Sequence, residues 1–165
     1  MDTPRFVADC MLGRLARWLR ILGWDTWYFR EISDAELLDL HRTSGRVLLT
    51  RDTRLVRSPG IGAAVLIRDD HWQNQILEVL RALALRIDAG RILTRCVVCN
   101  GVLSGLSADE ARGRIPDYVL GTQTRFHVCC RCRKIYWGGT HRRHILNALE
   151  GLTQEKKRSG EGTSG

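Results

Sequence analysis

The stretch RVLLTRD, residues 46–52, joins a continuous apolar run to two charged residues at its end. A run such as VLLT is typical of a strand that is covered on both faces, as in the parallel sheets of α/β proteins. In such sheets the functional crevice lies at the carboxyl ends of the strands. The position of Arg51 and Asp52 directly after the strand therefore predicts a charged site at that edge.

Similar apolar runs alternate with amphipathic helical patterns over the first 89 residues. The other strand-like runs are RFVAD (5–9), TWYF (26–29) and AAVLIR (63–68), and the helical patterns occupy 11–23, 33–45 and 71–85. Ser33 is of a residue type favoured at helix N-caps. Gly23 and Gly45 stand where a glycine typically ends a helix. This alternation predicts an α/β domain of three layers with a mainly parallel sheet.

Acidic residues follow each of the four predicted strands. Asp9 follows the first strand, Glu31 and Asp34 the second, Asp52 the third, and Asp69 with Asp70 the fourth. Clustered carboxylates repel one another unless a cation or a proton lies between them, so Mg²⁺ or Mn²⁺ is the natural partner. Such a metal suits phosphodiester hydrolysis, because it lowers the pKa of the attacking water and neutralises charge on the phosphate.

Each of these acids also has a structural interpretation. Asp9, Asp34 and Asp52 are each placed to cap a helix or a turn, and one of the two adjacent aspartates after the fourth strand can cap the last helix. Three arginines recur at every third position of the first helix. They either contact phosphates near the acids or form a solvated face, and they are Arg14, Arg17 and Arg20.

Two CxxC units lie in the second half of the chain. They are formed by Cys96, Cys99, Cys129 and Cys132, and 29 residues separate the two units. Four thiolates from two tight turns make a closed tetrahedral site, which predicts a structural Zn²⁺. Disulfide pairing and a register that uses Cys130 remain open alternatives.

Positive charge is concentrated in the same half of the chain. Residues 1–90 carry 13 Lys and Arg against 12 Asp and Glu, whereas residues 91–165 carry 13 against 6. Around the second CxxC unit, cations alternate with flat rings: Arg131, Arg133, Lys134, Tyr136, Trp137, Arg142 and Arg143. This combination suits nucleic acid, although the two aromatic residues can equally form a small core.

The domain organisation follows from these differences in composition. We predict an α/β domain over residues 1–90, a zinc ribbon over 91–149 and a disordered tail over 150–165, which is rich in Gly, Ser and charge. The sequence has neither an apolar run of membrane-spanning length nor a secretory signal, which favours a cytoplasmic protein with no membrane partner. No feature of the sequence specifies an oligomeric state.

Four strings of the sequence resemble the Mut-seven C-terminal ribonuclease-domain family. They are FVADCMLGRLARWLRILGWDT (6–26), LLTRD (48–52), RCVVCN (95–100) and CCRCRKIYWGGTH (129–141), within a resemblance that covers residues 5–149. The resemblance implies a PIN-like nuclease fold followed by a zinc ribbon. It also implies a divalent metal held by Asp9, Asp34 and Asp52, with Asp69 or Asp70 as the fourth acid.

Together these observations predict a metal-dependent ribonuclease. Asp9, Asp34, Asp52 and Asp70 are the expected catalytic acids, Mg²⁺ or Mn²⁺ is their metal, and RNA is the partner. Two alternatives remain. One is a non-catalytic adaptor that binds RNA or the ribosome, and the other is a toxin-like endonuclease for a structured RNA such as tRNA. DNA as the substrate is also open, because phosphate chemistry does not read the 2′-hydroxyl.

Overall fold

A computed structural model describes residues 3–138 and Asn147. Within this part of the chain the residues form two units. The first holds the described residues up to Leu103 together with Cys129–Cys132, and the second holds Ser104–Val128 and the described residues from Arg133 onward.

The first unit contains a sheet of four parallel strands in the order β2-β1-β3-β4. Ala8 pairs with Tyr28 on one side and with Leu49 on the other, so the carboxyl ends of the three strands lie at one edge. The strands are β1 (Phe6–Ala8), β2 (Thr26–Tyr28), β3 (Val47–Thr50) and β4 (Ala64–Leu66). The prediction of an α/β class with a parallel sheet is confirmed.

Three helices connect or follow these strands: α1 (Gly13–Ile21), α2 (Asp34–Ser44) and α3 (Trp72–Ala82). The chain moves from β1 outward to β2 and then back past β1 to β3. Because both crossovers are expected to be right-handed, α1 and α2 lie on opposite faces of the sheet. The result is the three-layer arrangement expected from the sequence.

The sheet is buried on both faces. On one face Val7, Leu37, Leu48 and Leu55 form a buried apolar cluster. Since side chains alternate along a strand, Phe6, Ala8 and Leu49 point to the other face, and all three are fully buried. The ring of Trp18 on α1 stacks on that of Trp72 on α3, with centroids 4.0 Å apart.

The segment that follows α3 packs with the end of α1. The N–H of Leu93 donates to the carbonyl of Ile21 at 2.8 Å, and a guanidinium nitrogen of Arg91 donates to that of Gly23 at 3.2 Å. Gly23 has a φ of +91°, and a Cβ there would lie 2.3 Å from the Arg91 carbonyl oxygen. A side chain at position 23 would therefore separate the two segments. The predicted domain boundary near Gly90 means that residues 1–90 and 91–149 fold independently, and it stays a prediction.

The second unit is built on a three-stranded sheet in the order β5-β6-β7. Its strands are β5 (Leu103–Leu106), β6 (Phe126–Cys129) and β7 (Ile135–Trp137), and β6 and β7 are antiparallel. Two short helices, α4 (Ala108–Ala111) and α5 (Asp117–Thr122), lie between β5 and β6. These two helices were not predicted from the sequence, although Ser107 and Glu110 form a capping box at the start of α4.

A small apolar core holds the second unit together. Ala111, Ile115, Val119 and Phe126 are buried, and Ile135 packs against them. The tail over 150–165 and the residues Arg142 and Arg143 lie outside the described residues. Among the residues that are described, no helix combines the length and the apolar character needed to cross a bilayer.

Candidate active site and metal centre

Asp9 lies at the carboxyl end of β1 and is almost fully buried, with 7% of its surface exposed. One carboxylate oxygen accepts the N–H of Met11 at 2.9 Å, which makes Asp9 the N-cap of the 3-10 turn Cys10–Leu12. The other oxygen accepts the hydroxyl of Thr50 at 2.7 Å. Asp9 therefore caps the turn through one carboxylate oxygen, as the capping interpretation predicts. The other oxygen is held by Thr50 on the neighbouring strand β3.

Thr50 connects two of the predicted acids. Its side chain is fully buried at the end of β3. The hydroxyl oxygen accepts the backbone N–H of Asp52 at 3.0 Å, and the hydroxyl donates a hydrogen bond to the Asp9 carboxylate. Thr50 was not among the residues predicted from the sequence. The available signal was a hydroxyl two positions before an acid, at the end of an otherwise apolar strand.

Asp52 is bound on both carboxylate oxygens by Arg54. The guanidinium contacts are 2.6 Å from Nη2 to Oδ2, 3.1 Å from Nε to Oδ2 and 3.2 Å from Nε to Oδ1. The backbone N–H of Arg54 also donates to Oδ1 at 2.7 Å. These hydrogen bonds lower the pKa of Asp52, and the side-chain contacts of Arg54 contribute most. Asp52 therefore caps its own turn, as one sequence interpretation held, and is also paired with an arginine that the sequence analysis did not single out.

Asp34 is the first residue of α2 and is exposed. The N-cap of the helix is Ser33, which forms a capping box with Glu36, so the Asp34 side chain is not required as the cap. The pKa of Arg54 is raised, first by its hydrogen bond to Asp52 and additionally by the charge of Asp34. Asp34 and Asp52 thus act on the same guanidinium.

The two adjacent aspartates after β4 have different partners. Asp69 accepts the N–H of His71 at 2.7 Å and the side-chain amide of Asn74 at 3.0 Å, so it organises the loop that leads into α3. Asp70 is 78% exposed, and its Oδ1 lies 2.6 Å from Nη1 of Arg51. The N-cap of α3 is His71, which makes no side-chain cap, so the interpretation in which one of these aspartates caps the last helix is wrong.

Thr50 links the carboxylate of Asp9 to the backbone of Asp52, whereas the carboxylates of Asp52 and Asp70 are paired with arginines. Among residues 3–138 and Asn147, the one group of three or more potential metal-binding side chains is formed by cysteines, not by these acids. The carboxylates still offer the oxygen donors that Mg²⁺ and Mn²⁺ prefer. The guanidinium of Arg54 is itself a cation bound to both oxygens of Asp52, so the chemistry of this carboxylate fits a positively charged partner.

The four cysteines of the two CxxC pairs converge within the first structural unit, the one that contains the parallel sheet. Their sulfur atoms all lie within 4.8 Å of one another. Sγ of Cys96 is 3.6 Å from that of Cys132, and Sγ of Cys99 is 3.4 Å from that of Cys129. A tetrahedral zinc site with Zn–S bonds of about 2.3 Å has sulfur separations of roughly 3.8 Å. The group could therefore hold a metal such as zinc, and the exposed Cys130 is not a member of it.

The backbone around the cysteines suits this role. The N–H groups of Arg131 and Cys132 each donate to Sγ of Cys129 at 3.4 Å, as expected around a thiolate. A Cβ at Gly101 would lie 2.8 Å from the same sulfur and 3.4 Å from that of Cys99. Only glycine at position 101 leaves the sulfur atoms this close to the chain.

Arg20 does not fit either interpretation given to the arginines of α1. It is buried, with 6% of its surface exposed, and its Nε donates to the carbonyl of Thr26 at 2.9 Å. Its Nη1 donates to the carbonyls of Val97 and Val98 at 3.2 and 2.9 Å, within the first CxxC loop. Arg14 and Arg17 are exposed, as both interpretations require. Arg20 is instead a structural link between α1 and the cysteine loop.

The basic residues next to the second CxxC unit are exposed where the structure describes them, namely at Arg131, Arg133 and Lys134. Tyr136 is partly buried on β7, and Trp137 is 39% exposed. The apolar core of the second unit is formed by other residues, with Ile135 as its contribution from β7. Positive charge and exposed aromatic surface therefore occur together on this segment.

Comparisons with known proteins place the chain in a family. Searches of curated proteins and of solved structures find no match. A family model described as "Mut7-C RNAse domain" matches residues 4–149, which is most of the chain. The chain therefore belongs to the Mut7-C RNAse domain family.

Proposed function

We propose that the protein is a metal-dependent ribonuclease whose active site lies at the carboxyl edge of the parallel sheet. The observation that supports this most directly is the position of the Thr50 hydroxyl, which donates to the Asp9 carboxylate and accepts the backbone N–H of Asp52 at the ends of two neighbouring strands. A buried carboxylate oriented by a neighbouring hydroxyl is an arrangement suited to binding a cation. Membership of a ribonuclease-domain family supports RNA as the substrate.

The residues proposed to hold Mg²⁺ or Mn²⁺ are Asp9 and Asp52, assisted by Asp34 and Asp70. When bound, the metal supplies an activated water and neutralises charge that builds up on the phosphate. The chain's own contribution is orientation and electrostatics. Thr50 fixes one oxygen of Asp9 by donating a hydrogen bond to it. Arg51 provides positive charge beside Asp70, and Arg54 provides it beside Asp52.

The four cysteines are proposed to bind a structural Zn²⁺. A closed shell of four thiolates leaves no open position for a substrate, so this metal acts through folding. The exposed basic residues beside it are proposed to contact RNA phosphates, with Trp137 as a stacking surface. This function predicts that the triple variant R131A/R133A/K134A binds RNA more weakly and with a smaller salt dependence.

The test of the proposed function is cleavage of end-labelled single-stranded and hairpin RNA by the zinc-loaded protein. Assays contain Mn²⁺, Mg²⁺ or a chelator, and compare the unmodified chain with Asp9→Asn and Asp52→Asn. Asp39→Asn is the matched control, because Asp39 is an exposed acid on α2. We expect metal-dependent cutting that is lost in the first two variants and kept in the control.

The pairing of Asp52 with Arg54, and of Asp70 with Arg51, favours a second candidate. In that reading the acids are caps and ion-pair partners, and the protein is an RNA-binding adaptor without catalytic activity. The same assay separates the two candidates. Tight RNA binding without cutting in any metal, unchanged in the Asp9→Asn and Asp52→Asn variants, would establish the adaptor.

A further inference from the structure

Arg54 binds Asp52 in the way that a divalent cation would. Its guanidinium contacts both oxygens of the carboxylate, at 2.6 to 3.2 Å, and no more than 25% of the Asp52 side chain is exposed. A divalent cation needs at least one of these oxygens. The guanidinium and a metal therefore compete for the same atoms, so binding of the metal requires this ion pair to open.

Opening the pair is easy for this side chain. Arg54 is 83% exposed, so its displaced guanidinium is solvated at once, and exposed ion pairs are weak. Arg54 also lies one turn from Asp52 in the sequence, so the displaced guanidinium stays attached to the segment that carries the acid. A solvated guanidinium on this segment is well placed to meet the substrate.

The chemistry of arginine indicates what the released group contacts. The planar guanidinium binds two oxygens of a phosphate as readily as two oxygens of a carboxylate. We propose that Arg54 occupies Asp52 in place of the divalent metal, and that metal binding releases it to contact a phosphate of the RNA substrate. This inference rests on the proposed function, because it requires a catalytic metal at Asp52.

Arg51 does not present the same arrangement. Its contact with Asp70 is a single one, from Nη1 to Oδ1 at 2.6 Å, and Asp70 is much more exposed than Asp52. Arg57 is exposed three residues beyond Arg54, in the 3-10 turn Leu55–Arg57. Replacing Arg57 removes the same charge from the same segment, so it provides the matched control.

The first part of the test measures Mn²⁺ binding to the zinc-loaded protein without RNA, by electron paramagnetic resonance. The proteins are the unmodified chain and the variants R54A, R54Q, R57A and D52N. We expect R54A and R54Q to bind Mn²⁺ about two- to fivefold more tightly, the range that an exposed ion pair allows. We expect R57A to bind as the unmodified chain does, and D52N to bind much more weakly.

The second part measures cleavage at saturating Mn²⁺ and follows KM for RNA. We expect KM to rise in R54A and R54Q, because a phosphate contact is lost, and to stay unchanged in R57A. Equal Mn²⁺ affinity in R54A and the unmodified chain would overturn the inference. Equal tightening in R57A, or an unchanged KM in R54A, would overturn it as well.

The two levels of the proposal fail differently. If the unmodified chain binds no Mn²⁺, or binds it as D52N does, the catalytic metal at Asp52 is absent and the proposed function fails together with the inference. If Mn²⁺ binds, is lost in D52N and is unaffected by R54A, the proposed function stands. In that case only the role of Arg54 is overturned.

Discussion

The side-chain amide of Asn100 donates to Oδ1 of Asp25 at 2.8 Å, and its carbonyl oxygen accepts the N–H of Thr26 at 3.0 Å. Asn100 directly follows the first CxxC unit, whereas Thr26 begins strand β2 and Asp25 directly precedes it. Together with Arg20, this amide fastens the cysteine loop to the parallel sheet within the first unit. The stability of the sheet and the order of the cysteine loop are therefore coupled.

Asn100→Ala is expected to lower the free energy of unfolding by about 1 to 3 kcal/mol. The substitution leaves the N–H of Thr26 without its partner in a buried position and removes a hydrogen bond from Asp25. Urea unfolding followed by circular dichroism measures the effect. Gln73→Ala is the control, since it removes an exposed side-chain amide from α3. Equal stability of Asn100→Ala and the unmodified chain would contradict the coupling.

Removal of zinc is expected to destabilise the four-stranded sheet as well as the cysteine loop. Without the metal the loop loses its order, and Arg20 and Asn100 lose fixed partners against α1 and β2. Hydrogen exchange of the backbone amides in β1 and β3, measured with and without a zinc chelator, tests this. We expect faster exchange in the chelated protein. Unchanged protection of β1 and β3 would mean that the loop folds independently of the sheet.

Asp25 is expected to make stability depend on pH in the acidic range. Burial opposes its ionisation, but the hydrogen bonds from Arg46 and Asn100 and the charge of Arg46 outweigh burial and lower the pKa of Asp25. A carboxylate with a lowered pKa stabilises the fold above its unfolded pKa of about 3.9. This contribution is lost as the pH falls through the lower, folded pKa.

The measurement is urea unfolding of the unmodified chain and of Asp25→Asn between pH 7 and pH 3. We expect the variant to be less stable at neutral pH, with a difference that shrinks as the pH falls below about 4. Asp39→Asn is the control at an exposed position. A difference that stays constant over the whole range would show that the charge of Asp25 does not contribute.

The sequence was informative about elements with strong local signals. Apolar runs located all four strands of the parallel sheet, and the capping composition at Ser33 located the start of α2. The spacing of the cysteines identified the four that converge. Each of these predictions depends on neighbours in the chain, which a single sequence contains.

Contacts between distant residues were not predicted. Arg20 looks like a surface residue of an amphipathic helix, yet it is buried because the CxxC loop, 77 and 78 positions further on, covers it. The pairing of Arg54 with Asp52 is local in sequence but depends on a turn whose geometry no residue pattern fixes. Thr50 was missed for a similar reason, because its partner Asp9 lies 41 positions away on the adjacent strand.

Thr50→Val is expected to reduce RNA cleavage more strongly than RNA binding. Valine has nearly the shape of threonine but cannot donate to the Asp9 carboxylate or accept the backbone N–H of Asp52, so Asp9 loses the group that orients it and the turn at Asp52 loses a hydrogen bond. The free energy of unfolding should fall by about 1 to 3 kcal/mol, because a buried acceptor is left unpaired. Thr50→Ser retains the hydroxyl and is expected to restore most of the cleavage rate. Equal rates for the valine and serine variants would argue against an orienting role.

Cys10 provides a chemical reporter for the charge of Asp9. The thiol is exposed, and its pKa is raised, first by its hydrogen bond to the Asp9 side chain, then by burial and by the negative charge of Asp9. Only the thiolate reacts with alkylating reagents, so Cys10 is expected to react slowly at pH 8. Asp9→Asn removes the negative charge, lowers the pKa of Cys10 and is expected to accelerate alkylation several-fold.

Mass spectrometry after timed exposure of the zinc-loaded protein to iodoacetamide measures this rate at each cysteine. The exposed Cys130 is the internal control, because its reactivity should not change in Asp9→Asn. Addition of Mn²⁺ should have a similar effect in the unmodified chain, since a cation bound to Asp9 would neutralise the charge that suppresses ionisation of the thiol. Acceleration by Mn²⁺ that is absent in Asp9→Asn would locate the metal at Asp9 without any assay of RNA cleavage. Acceleration of equal size in both proteins would place the metal elsewhere.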